Sequence, residues 1–147
     1  MNGMSEVTRF TLTIDKFDLS LLSVIIHQDE KLSVPRGVEV YEIDGPFFFG
    51  VANKFDECMK TIGDKPTIRI IRMRKVPFMD TTGLHNLESL FRLSAKEKIR
   101  IILSGVNERV HETLRKSGFS QMIGDENICS NIHEALDRSA EILKHPK

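Results

Sequence analysis

The residues with the most chemistry in them stand together in one short stretch, Pro77-Phe78-Met79-Asp80-Thr81-Thr82-Gly83. An aspartate and two threonines directly ahead of an apolar helical pattern are good partners for the unpaired N–H groups of a helix start. The stretch admits two readings. In the plainer one it is a well-capped loop between a strand and a helix. In the sharper one it is a switch, because a hydroxyl at a helix N-terminus sits where the dipole welcomes a phosphoryl group. Phosphate there would add roughly −1.5 to −2 charges and reset any docking surface.

Other reactive groups are scattered. Arg69, Arg72, Arg74 and Lys75 crowd just before the loop, and could attract an anionic partner. As a charge run they read first as solvated positions at a strand end. Arg72 and Arg74, with Ser104 and Gly105 after the next strand, make a candidate anion, nucleotide or partner surface. Cys129 and His133 are spaced as metal ligands can be, but zinc takes three or four ligands and no CxxC or HxxxH companion exists. Cys58 lies on the apolar face of a helical pattern and reads as core. His27, His85, His111, His133 and His145 fall in separate segments without a nucleophile or metal companion. The chain has no G-x-x-x-x-G-K-[ST], G-x-G-x-x-G or G-x-S-x-G motif, so nucleotide and serine hydrolysis lack motif support. A nucleotide could bind weakly near the helix starts at Thr82 and Val106. The expectation is a chain that is not an enzyme, with no metal and no cofactor.

The elements that must position these residues are legible from Val38 onward. Val38, Val40 and Ile43 read as a strand, Asp44-Gly45-Pro46 as a turn, and Phe47-Phe48-Phe49 as a short second strand. Val51, Ala52, Phe55, Cys58, Met59 and Ile62 recur at helical spacing, with Gly63 as the stop. Thr67 to Met73, rich in isoleucine, predicts a central strand, and Leu84, Leu87, Leu90 and Phe91 predict a helix after the loop. Ile99 to Leu103 predicts another strand. A helix should start near Asn107 and stop at Gly118, Phe119 to Ile123 should form a short edge strand, and a last helix should begin at Asn131 with Glu134 as its capping partner. The order β-β-α-β-α-β-α-β-α predicts an α/β fold, a mainly parallel sheet of four or five strands with about four helices covering it. Residues 1–35 read as a lead-in or linker that adds a strand or short helix, and residues 36–147 as one domain.

Composition narrows the partners. With 21 basic and 21 acidic residues the formal charge is zero, which argues against nucleic acid as a partner. The best apolar run, Leu19 to Ile26, contains Ser20 and Ser23 and is far shorter than the ~18 residues a membrane helix needs, so no direct membrane insertion by this segment is expected. No secretory signal is evident, and two isolated cysteines do not make a disulfide framework, which suits a reducing cytosol.

Asp80-Thr81-Thr82-Gly83-Leu84 resembles the D-[ST]-[ST]-G-[LI] loop of STAS domains, which anti-sigma-factor antagonists and sulfate transporters share. Val76-Pro77-Phe78-Met79 ahead of it, Ser104-Gly105-Val106, Leu114-Arg115-Lys116-Ser117-Gly118-Phe119 and Glu134-Ala135-Leu136 fit the same pattern in the same order, from about Pro35 to Leu143. The opening from Pro35 to Gly50, with its Gly45-Pro46-aromatic turn, resembles the transporter-linked, bacterial sulfate-permease (SulP) branch. The resemblance implies the STAS fold and a regulatory, protein-interaction domain on the cytoplasmic face of a sulfate-type anion transporter. The partner implied is the membrane domain of its own transporter, or a cytosolic regulatory protein, and residues 1–35 would lead in from the membrane portion. The alternative is a free-standing antagonist that accepts phosphate at Thr82. Both loop hydroxyls here are threonine, whereas antagonist loops commonly carry serine at the acceptor position.

Overall fold

A computed structural model describes residues 8–14, 17–26, 32–44 and 65–145, and for the first two strands the backbone alone. Five strands make one sheet, in the order β1 (Thr8–Ile14), β2 (Phe17–Ile26), β3 (Val38–Asp44), β4 (Ile68–Lys75), β5 (Arg100–Ser104). β1 and β2 form an antiparallel pair, and β2 joins β3 antiparallel through Ser23 to Ile26. The lead-in therefore contributes two strands. β3, β4 and β5 run parallel, as crossover connections require. The predicted strand at Phe47 to Phe49 and helix from Val51 to Ile62, with Cys58, lie outside the described residues.

β4 is the central strand of the parallel part, and Ile68 through Met73 are buried on both faces. Alternation sends Ile71 and Met73 to one face, where Tyr41, Ile43, Ile101 and Leu103 join them. Two helices cover that face, α1 (Thr81–Lys96) through Leu87 and Leu90, and α2 (Glu108–Ser117) through Val110 and Leu114. Ile68, Ile70, Val38, Val40 and Ile102 point the other way, under α4 (Ile132–Lys144) with its Ala135, Leu136 and Ile142.

Each helix begins where its sequence supplies a side-chain acceptor. Asp80, Asn107 and Asn131 accept hydrogen bonds from the N–H groups of Gly83, Val110 and Glu134 at 2.7, 2.7 and 2.9 Å. Glu134 in turn accepts from the Ser130 N–H at 3.1 Å, one residue ahead of the expected reciprocal cap. Gly118 ends α2 in the left-handed conformation.

The predicted edge strand at Phe119 to Ile123 is instead a short helix, α3 (Phe119–Ile123). The Gly118 carbonyl accepts from Gln121 and Met122, which closes a turn at once. Helical spacing buries Phe119 and Ile123 together and turns Gln121 and Met122 outward, whereas a strand would have carried Gln121 inward with them.

Candidate functional site

The loop from Val76 to Asp80 lies at the carboxyl end of β4, the end at which open α/β sheets commonly bind their ligands. Val76 and Met79 are buried and anchor it, while Pro77 and Phe78 stand out. Asp80 is the N-cap of α1, and its carboxylate takes the Gly83 N–H. Thr81 and Thr82 are the first two helical residues, and both are exposed. Gly83 is buried in the same first turn. No acidic residue stands in that turn, so the positive end of the helix dipole is offset by Asp80 and nothing else within it. The arrangement presents two hydroxyls to solvent at a helix N-terminus.

A second loop braces the first. The Asn107 side chain caps α2 with its oxygen and donates its N–H groups to the carbonyls of Val76 and Pro77, both at 3.3 Å. The Arg109 guanidinium lies 5.9 Å from the centre of the Phe78 ring, which is 44% exposed. Sequence reasoning placed Asn107 at a helix start and gave it no part in the loop. Phe78 and Arg109 were missed as a pair, since nothing local signals that residues so far apart in sequence will stack.

The four residues expected to form an anion or partner surface are divided by the fold. Arg72 and Ser104 are neighbours across the β4–β5 ladder but are 6% and 1% exposed, so neither offers a surface. Strand alternation places them on the α4 side of the sheet, opposite the face that α1 covers. Arg74 and Gly105 do meet. Gly105 holds φ +70°, and a methyl group on it would come within 2.9 Å of the Arg74 backbone nitrogen. Arg74 is exposed, and its guanidinium makes a two-pronged ion pair with the buried Glu42, one contact through Nε and one from Nη2 at 3.2 Å.

Arg69 also departs from the solvated reading. It is 2% exposed, with its guanidinium 5.7 Å from the Tyr41 ring centre and Nη1 3.2 Å from Ser94 Oγ, and the Tyr41 hydroxyl donates to Glu39. A central strand covered on both faces leaves no solvated position for it, so the charge is met by an aromatic face and a hydroxyl. Cys129 is buried and His133 exposed, and among the described residues no group of three His, Cys, Asp or Glu could hold a metal. Burial, with Glu134 adding to it and Arg138 opposing, pushes the Cys129 thiol up to about 11. No helix among the described residues is long and apolar enough to cross a membrane.

Fold and site together define an α/β module that presents a capped polar loop at the carboxyl end of a parallel sheet. The profile of the STAS domain matches residues 31–135, and the chain belongs to that family. Sulfate transporter 1.1 of Arabidopsis thaliana is 30% identical over 113 residues, which cover 68% of this chain and 17% of the plant protein. High affinity sulfate transporter 1 of Stylosanthes hamata is 26% identical over 123 residues, 76% of this chain and 18% of its own. The chain thus spans less than a fifth of the length of these curated relatives. Among solved structures, a sulfate transporter family protein from Wolinella succinogenes superimposes with a TM-score of 0.70 at 38% identity, covering 78% of this chain and 93% of that one. The STAS domain of a SulP transporter from Vibrio cholerae gives 0.68 at 35% identity, covering 78% and 91%. An anti-sigma factor antagonist from Mycobacterium paratuberculosis shares the fold, with a TM-score of 0.53 at 15% identity over 90% of this chain and 93% of that one.

Proposed function

We propose that the chain is a regulatory and protein-interaction domain of a sulfate-type anion transporter, working at the cytoplasmic face of the membrane. It has no catalytic turnover of its own and modulates transport by docking, either to the membrane portion of its transporter or to a cytosolic protein. Residues 1–35 lead in from that portion and residues 36–147 form the docking domain. The docking surface is the Asp80–Gly83 loop with Phe78 beside it. The observation that carries this reading is the likeness to the SulP transporter STAS domain, at 35% identity over 91% of that chain. Which anion is carried would be decided in a membrane portion and not here. The reading frame upstream of Met1 tests the proposal. Several hydrophobic spans encoded there support it, and a frame that opens at Met1 with none would sink it.

One observation favours a second reading, a free-standing phosphoacceptor in partner switching. Thr82 is exposed in the first turn of α1, where a phosphate would meet the positive end of the helix. Phosphorylation at Thr82 of a chain encoded without membrane spans would support it.

A further inference from the structure

At the far end of α1 from the Asp80–Gly83 loop, a cavity of about 510 Å³ opens beside the start of β5. Its volume is within the range of small-molecule sites. Phe91 and Ala95 of α1, Ile123 of α3, Ile142 of α4 and Ile101 of β5 make an apolar wall. Asn127 also lines it, but its side chain is already engaged, donating to the Ile123 carbonyl at 2.7 Å and accepting from Arg138 at 2.8 Å. Besides Thr67, the polar residues left at the cavity are two exposed cations, Lys98 and Arg100.

Three observations bear on what would fill it. First, among the described residues neither Lys98 nor Arg100 has an ion-pair partner, while nearby Glu97 is engaged with Lys65. Second, Lys98 holds φ +63°, and it is the one non-glycine with positive φ among the described residues. Glycine is the relaxed choice at such a position after a helix, and here a cation occupies it at the cavity mouth. Third, β5 is the edge strand. The Arg100 N–H donates to the carbonyl of Thr67, just ahead of β4, so alternation turns the N–H and C=O of Ile101 outward, while Leu103 beyond it is covered by Cys129. One uncovered residue is too short an edge for an added peptide strand, which favours a small amphiphile.

We propose that this cavity is a binding site for an apolar carboxylate, the class of the medium-chain fatty acids. The chain lies among Phe91, Ile123 and Ile142, and the head group meets Lys98 and Arg100. The test is a titration of decanoate into methyl-labelled protein, below its micelle-forming concentration. Decanol serves as the uncharged control and sulfate as the chainless one. Decanoate should shift the Ile101, Ile123 and Ile142 methyl signals saturably. Lys98→Glu with Arg100→Glu, both at exposed positions, should weaken binding about tenfold while leaving the free spectrum folded. Absence of a saturable shift at those methyls overturns the proposal. So does equal binding of decanol, equal shifts with sulfate, or undiminished affinity in the charge-reversed variant.

Discussion

The Asp80 carboxylate accepts the Gly83 N–H at 2.7 Å, and nothing else in the first turn of α1 replaces it. Asp80→Ala should therefore cost about 1 kcal/mol in thermal unfolding, and Asp80→Asn, which keeps an acceptor, clearly less. Cys129 sets a pH dependence. Its thiol is held neutral to about 11 in the fold against an ordinary 9.0, so between those values the folded state keeps a proton that the unfolded chain gives up. Stability from this site is complete below about pH 9 and declines as pH rises toward 11, and Cys129→Ala should flatten that decline in urea unfolding. Single residues were legible in the sequence where their role is local. The Asp80, Asn107 and Asn131 caps each act three residues along the chain. Arg69 and Arg72 were not, because their burial depends on strands and helices that close over β4 from elsewhere. Arg69 meets Ser94, 25 positions away.

Between elements, two contacts fix how the loop is held. Gly105 combines a left-handed φ with a 2.9 Å approach to Arg74, so Gly105→Ala must both strain its own backbone and push β4 aside. A loss of about 1–3 kcal/mol is expected, read from the urea midpoint. Asn107 allows a cleaner separation. Asn107→Asp keeps the oxygen that caps α2 and loses the two donors to Val76 and Pro77. Helix α2 should stay intact while amide exchange quickens from Asp80 to Gly83. Unchanged exchange there would mean that the second loop does not brace the first. Strands β3, β4 and β5 and helices α1, α2 and α4 were readable because long apolar patterns have one period. Phe119 to Ile123 was not, since five residues fit either period, and what decides is the left-handed Gly118, whose carbonyl starts a new turn. The β1–β2 pair was readable only as a lead-in that adds a strand or short helix, because antiparallel pairing to β3 depends on a partner found in three dimensions.

At the scale of the molecule, balanced charge and a core on both sheet faces describe a module that presents the exposed Asp80, Thr81 and Thr82, with Phe78 and Arg109 beside them, at the carboxyl end of its parallel strands. Its belonging to the STAS family was legible from the order of short motifs, and the loop at its centre lies where that order put it, between a central strand and a helix. What the sequence did not disclose is the division of the Arg72, Arg74, Ser104 and Gly105 set, because Arg72 and Ser104 lie in the covered part of β4 and β5 while Arg74, on the same face as Arg72, is exposed at the strand end. Docking through the Thr82 loop, on which the proposed function turns, is tested most directly by titrating the purified chain against the membrane portion of the transporter it is proposed to serve. Thr82→Glu places a charge at the loop and should change the affinity severalfold, less than phosphate would since a carboxylate carries less charge. Thr82→Ser should bind as the parent does. Equal affinities for all three would contradict the account and remove the loop from the docking surface.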